Sequence, residues 1–177
     1  IYISSVMAQD TFLRDWVLAG EKDPDQITRY LNEVKARYET ITSFFISEKS
    51  GTYYHAAGVL KTVRQDDQRD IWYFRVRLLQ QPFEINVDPD QANRDAMTIF
   101  INYRVFDYAG NFIGVTGVGL TADKVRLLIE SYQARFHRRV YFENDNAFAL
   151  QWIKTNPGSM IANNNFGNEL LKKNLPA

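Results

Sequence analysis

The stretch from Thr98 to Leu120 limits the possible folds more than any other part of this chain. Thr98–Phe106 is dense in β-branched and aromatic residues, Asp107-Tyr108-Ala109-Gly110-Asn111 holds turn formers, and Phe112–Leu120 is apolar and β-branched again. Two such runs around a short polar turn read as an antiparallel hairpin. The return strand contains Gly114, Gly117 and Gly119. Glycine inside a strand predicts that something packs close against it.

The same grammar appears earlier. Phe44–Ser47 is a strand, Glu48-Lys49-Ser50-Gly51 a turn, and Thr52–His55 a second strand. Ile71–Leu79, rich in aromatic and β-branched residues, reads as another strand that Pro82 breaks; Phe83–Val87 reads as a short one. Gln65–Arg69 and Asp88–Asp95 read as polar loops. Consecutive hairpins favour an α+β domain with an antiparallel sheet of about five strands over a parallel doubly wound sheet.

Helices flank the sheet. Val6, Leu13, Trp16 and Val17 place a helix over residues 1–19, with Gly20 as its stop. Asp23-Pro24 restarts one, and Ile27, Leu31, Val34, Tyr38 and Ile41 follow at spacings that share one helical face. That stripe reads as core packing or as a dimer seam. Thr121 and Asp123 begin a helix after the sheet that runs to Phe136. Arg139–Glu143 reads as a strand and Glu169–Asn174 as a final helix. The expected organisation is a long N-terminal helical stalk over 1–40, a sheet module over 41–137, and a partial or degenerate module over 138–177.

Charge and composition exclude several functions. Lys+Arg and Asp+Glu are each 21, for a formal net charge of zero. No nucleic-acid partner is expected, because phosphate binding needs concentrated positive charge. The absence of cysteine removes thiolate metal sites and cysteine nucleophiles. His55 and His137 are the only histidines, too few to suggest a transition-metal site. Asp88, Asp90 and Asp95 cluster, but Ala92 and Asn93 break the calcium-loop pattern. No nucleophile elbow, phosphate loop, dinucleotide fingerprint or zinc-protease motif is present, so neither a cofactor nor an enzyme is expected. No apolar run approaches the ~20 residues that span a bilayer. The chain opens at Ile1-Tyr2-Ile3 and reads as a piece of a longer protein.

Asp70-Ile71-Trp72-Tyr73, followed by the hairpin Asn102–Leu120 with its Asp-x-x-Gly turn and Gly-Val-x-Gly return strand, resembles the double-Cache family of bacterial receptor ectodomains. The resemblance covers roughly residues 20–143. It implies a PAS-like, membrane-distal sensor module, periplasmic or extracytoplasmic, anchored by a membrane helix. The output domain would be a histidine kinase, a cyclic-dinucleotide enzyme such as a diguanylate cyclase, or a chemoreceptor signalling domain. It also implies a small-molecule pocket walled by Asp70, Trp72, Tyr73, Asn86, Asp88 and Gly119.

Two positions depart from the family's amino-acid-binding branch. Asp70 stands where that branch has a carboxylate-gripping Arg, with Arg69 one place earlier, and Gly119 stands where it has an ammonium-binding Asp. Asn86 replaces an aromatic. A buried ammonium without its acid would cost several kcal/mol, on the order of the penalty for any uncompensated buried charge. With Lys61, Arg75 and Arg77 near the implied pocket, the expected ligand is an organic acid or an uncharged polar metabolite in preference to an amino acid.

Other candidates come from the residues themselves. In a strand, Trp72 and Tyr73 would face opposite sides, each a ligand contact or a core residue. Arg75 with Arg77 is a candidate carboxylate grip; the alternative is a solvated sheet face. Asn102 shares a strand face with Arg104 and is a candidate donor. His55, beside Tyr53-Tyr54, is a candidate lining residue or edge-of-core packing. Two rival readings remain open: a ligand-free interaction module that dimerises through residues 1–40 or reads a partner protein, and a cytosolic PAS-like domain with a bound haem or flavin.

Overall fold

The computed structural model describes residues 1–136. The strand expected at 139–143 and the helix expected at 169–174 lie outside the described residues. The chain divides into two compact units, Ile1–Ala122 and Asp123–Ala177.

The first unit contains α1 (Tyr2–Gln9), α2 (Thr11–Leu18), α3 (Pro24–Tyr38), β1 (Thr42–Ser47), β2 (Thr52–His55) and β3 (Gly58–Thr62). A 3-10 turn (Gln68–Asp70), α4 (Ile71–Arg77), β4 (Phe83–Asp90), β5 (Ala96–Phe106) and β6 (Phe112–Thr121) complete it. The sheet has six strands in the order β3-β2-β1-β6-β5-β4, and every recorded pairing is antiparallel. The final described element is α5 (Ala122–Phe136), where Arg126 pairs with Glu130 at 3.0 Å, one turn on.

The α+β class and the antiparallel sheet are as expected; four local readings are corrected. First, the helix expected over residues 1–19 is two helices, so the long N-terminal helical stalk is three separate helices. Asp10 turns extended (φ −66°, ψ 127°), and its carboxylate accepts from the Phe12 amide at 2.9 Å, which starts α2 afresh. Second, Ile71–Leu79 is not a strand. Tyr73 and Val76, three apart, are buried while Ile71, Arg75 and Arg77 are exposed, a helical period that the β-rich composition concealed. Third, Asp88-Pro89-Asp90 is no loop: it ends β4, paired with Thr98, Met97 and Ala96. Proline is tolerated there because β4 is an edge strand. Fourth, β3 was not anticipated, so the strands are six rather than about five.

Strand alternation sorts the core into two layers. On one face, Phe45, Tyr54, Ile101 and Val118 are covered by Met7, Leu13, Trp16, Ile27 and Leu31 from the first three helices. Each such side chain stabilises the fold by roughly 1.5–3 kcal/mol. Glu21 ties this layer to the β1–β2 turn. Held left-handed (φ 59°), it accepts hydrogen bonds from Ser47 Oγ at 2.5 Å, Ser50 Oγ at 2.6 Å and the Tyr54 hydroxyl at 2.9 Å.

On the other face, Phe44, Ile46, Phe100 and Val115 pack with Tyr73 and Val76 of α4. This helix has seven residues, so it is only about 10 Å long and leaves part of its sheet face open. The glycines deepen that opening. Gly117 and Gly119 lie opposite Asn102 and Phe100 in the ladder and present no side chain on this face. A Cβ on Gly117 would sit 2.2 Å from the Ile101 carbonyl oxygen and 3.1 Å from the Phe44 ring. One on Gly119 would meet the methyls of Thr42 and Thr98 at 2.5 Å. The close packing expected of this strand is there.

Candidate functional site

Beside α4, the open part of the sheet forms a pocket of about 340 Å³. That is near the lower end of small-ligand sites, which run about 300–1,000 Å³. Its floor is Phe100 and Asn102 of β5; Asn86, Asp88 and Pro89 of β4 form one wall, and Tyr53 reaches it from β2. The opposite wall is Gln68 and Arg69 of the 3-10 turn with Ile71, Trp72 and Arg75 of α4. Gln91 closes the row.

Local structure sets each of these side chains. Asn86 and Asp88 are two apart in β4, so they share a face, opposite Phe100 and Thr98. Trp72 stands edge-on to Phe44 (centroids 5.7 Å, 83°) and to Tyr53 (6.4 Å, 72°), which fixes the indole as an aromatic wall. Burial holds the Tyr53 hydroxyl far above the usual phenol range, so it stays protonated.

The polar groups form a short chain. Asn102, 1% exposed, donates through Nδ2 to Asn86 Oδ1 at 2.6 Å. Asn86 in turn donates to the Asp88 carboxylate. The other end of Asn102, Oδ1, is buried with no protein partner. An unsatisfied buried acceptor costs about 1–3 kcal/mol. Burial raises the Asp88 carboxyl above its ordinary range, against the pull of Arg75 and the Asn86 hydrogen bond.

Both arginines of the lining already have acids. Arg75 donates from Nε to Glu84 at 2.9 Å, and its Nη2 lies 2.7 Å from the same carboxylate. Arg69 pairs with Asp95, which lies outside the lining, and Gln91 Nε2 donates to the Arg69 carbonyl at 3.1 Å. Asp88, Asp90 and Asp95 thus do three different things. Asp88 faces the pocket, Asp90 accepts from Ala92 and Asn93 in its own turn, and Asp95 holds Arg69.

The structure brings together Trp72, Arg75, Asn86, Asp88 and Asn102. The remaining candidates lie elsewhere. Tyr73 is in the core behind α4, its hydroxyl donating to Glu48 at 2.9 Å. Asp70 is buried at the start of α4, 2.6 Å from Lys61 and accepting from the Arg64 amide at 2.9 Å. His55 is buried on the same sheet face, outside the lining. Its Nδ1 accepts from the Ala57 amide at 3.1 Å, so Nε2 carries the proton toward Thr42 Oγ1 at 2.8 Å. Burial lowers its pKa and keeps it neutral. Gly119 is ladder partner to Phe100 and adds no group of its own.

Phe100, Tyr53, Ile71, Gln68, Arg69, Pro89 and Gln91 were not anticipated as lining residues. Phe100 was within reach of sequence reasoning, since it is two residues from Asn102 in the clearest strand. The residues before Trp72 were not, because their placement depends on α4 being a helix.

This is the PAS-like Cache fold of receptor sensor domains. Among solved structures, the ligand-binding domain of the Campylobacter jejuni chemoreceptor Tlp3 with 4-methylisoleucine matches at TM-score 0.53 and 13% identity, covering 72% of this chain and 50% of that one. The same domain with isoleucine matches at 0.52 and 14%, covering 72% and 51%. The E. coli DcuS sensor domain matches at 0.50 and 17%, covering 73% of this chain and 90% of that one. The chain spans about half the length of the chemoreceptor domains it matches. No family model matches the sequence.

The expected preference for an organic acid or uncharged metabolite over an amino acid is corrected. Tlp3 domains of this fold were solved with valine, isoleucine and 4-methylisoleucine bound. The cations invoked for an acidic ligand are also engaged: Arg75 by Glu84, Arg77 by Glu48, and Lys61 by Asp67 and Asp70.

Proposed function

We propose that this chain is the extracytoplasmic sensor domain of a membrane receptor. Its α4–β4 pocket takes a small molecule carrying an ammonium group, an amino acid or a related amine. The observation that carries the reading is that Asn102, with a buried, unpartnered Oδ1, and the half-buried Asp88 carboxylate both line one pocket walled by Trp72, Tyr53 and Phe100. An ammonium supplies donors to both acceptors, and the aromatic faces suit its charge and its apolar tail. The amino-acid ligands of the Tlp3 structures agree with this chemistry. Signalling follows if the liganded arrangement of α4 and β4 differs from the empty one, because a ligand shifts an equilibrium only by its differential affinity for two states.

The test is calorimetric titration with a panel of amino acids and primary amines across a pH series. Binding needs the charged Asp88. Affinity is therefore expected to hold at neutral pH and to fall as pH drops through the raised carboxyl pKa, by up to about tenfold per pH unit. Arg75 and Glu84 are the charged groups that act on Asp88, the first favouring its ionised form and the second opposing it. A panel without a binder, or affinity indifferent to acid, would overturn the reading.

A second reading, pairing of two copies through α1, is favoured by the exposure of Tyr2 (77%) and Val6 (44%) on that helix.

A further inference from the structure

We infer that the pocket recognises its ligand through the ammonium group alone, with no side-chain cation left to grip a carboxylate, and that primary amines lacking an α-carboxylate are its preferred ligands. This rests on the ammonium reading above and narrows it.

The argument is the distribution of charge around the pocket. Two cations line it, and each already has an acid. The Arg75 guanidinium is held by Glu84 at 2.9 Å and 3.1 Å from Nε and at 2.7 Å from Nη2, a fork geometry that leaves little room for a second carboxylate. Arg69 is held by Asp95. Asp88 is different: its protein hydrogen bond comes from the uncharged Asn86 amide, and Arg75 acts on it only at longer range. Asn102 Oδ1 adds a second acceptor without a donor, in a side chain 1% exposed. Taken with the acids that neutralise its arginines, the pocket carries one negative charge in excess.

An entering carboxylate gains nothing in such a site. To reach Arg75 or Arg69 it must displace Glu84 or Asp95, exchanging one ion pair for another and leaving an acid unmatched. It must also approach Asp88, a like charge. An ammonium meets two acceptors and displaces nothing. Like-charge repulsion against one ligand, with complementarity to the other, is how a site discriminates. The remaining lining, Trp72, Phe100, Tyr53 and Ile71, accepts an apolar tail.

The experiment is calorimetric titration of the protein with matched pairs that differ only in the α-carboxylate. Leucine is set against 3-methylbutylamine and phenylalanine against 2-phenylethylamine, with 4-methylpentanoate as the acid lacking an amine. Arg75→Gln and Arg69→Gln, both at exposed side chains, are titrated alongside. Each amine is expected to bind tighter than its amino acid by about tenfold or more. The acid should show no heat, and neither arginine variant should cost an amino acid more affinity than it costs the matched amine. Amino acids that bind more tightly than their amines, and lose that affinity in either variant, overturn the inference while leaving the ammonium reading intact. Binding of the acid alone, or of none of the probes, overturns both.

Discussion

Gly117→Ala is expected to lower the unfolding free energy by about 3 kcal/mol, at the upper end of overpacking costs. Its Cβ would lie 2.2 Å from the Ile101 carbonyl oxygen and 3.1 Å from the Phe44 ring. The first obstacle is backbone in the longest hairpin of the sheet, so it cannot rotate away. β5 and β6 must part, or the ladder must shift. With typical domain stabilities of about 5–15 kcal/mol, that is a large fraction of the whole. Gly110→Ala is the natural comparison. An added Cβ there has nothing within 4 Å, and only the left-handed backbone (φ 83°) opposes it, at a cost of roughly 1–2 kcal/mol. Urea unfolding of both variants checks the claim. A Gly117→Ala loss no larger than that of Gly110→Ala would mean that the sheet does not close around this glycine.

The second large effect falls on binding and costs no stability. Asp88→Asn keeps the shape of the side chain and removes its charge. The affinity for an ammonium ligand is expected to drop by about 100-fold, within the range of truncated buried charge pairs. Stability should move the other way. Because burial raises the Asp88 carboxyl, ionisation at neutral pH works against the empty folded state. The sign is that of a raised carboxyl pKa: the folded state binds its proton more tightly than the unfolded chain, so this group favours folding as pH falls. The neutral variant should be at least as stable as the parent at pH 7. Loss of binding together with loss of stability would instead make Asp88 a structural residue. A group that costs stability and serves a ligand is what a binding site is expected to contain.

The sheet was legible where composition and turn signals agreed. Thr98–Phe106 and Phe112–Leu120 are dense in β-branched and aromatic residues around a polar turn, and Gly114, Gly117 and Gly119 announced the tight packing. Ile71–Leu79 was not legible. Trp72, Tyr73, Phe74 and Val76 have strand-favouring side chains, and in a run this short composition and period conflict. Burial of Tyr73 and Val76 against Phe44 and Val115 decides for the helix, and that is a tertiary effect. The break at Asp10 was hidden because a capping aspartate looks like any surface acid until its backbone is seen.

The site follows the same division. Asn102 was legible as a strand-face donor, while Asn86 and Asp88 came only from the family resemblance, Asp88 in a segment that reads as a loop and is the end of β4. The family resemblance put Tyr73 and Asp70 in the wall; α4 turns Tyr73 into the core, and Asp70 is buried against Lys61. The ligand preference failed for another reason. Arg75 and Arg77 were counted as free charges, and their partners Glu84 and Glu48 lie far enough along the chain that only the fold reveals the pairing.

Backbone amide chemical-shift mapping during titration with the tightest-binding amine or amino acid tests the central claim most directly. Saturable shifts are predicted at Arg69–Arg75, at Asn86–Gln91 and at Phe100–Asn102, with the α1–α3 layer little changed. Shifts confined to α1–α3, or none in the α4–β4 pocket at saturation, would contradict it.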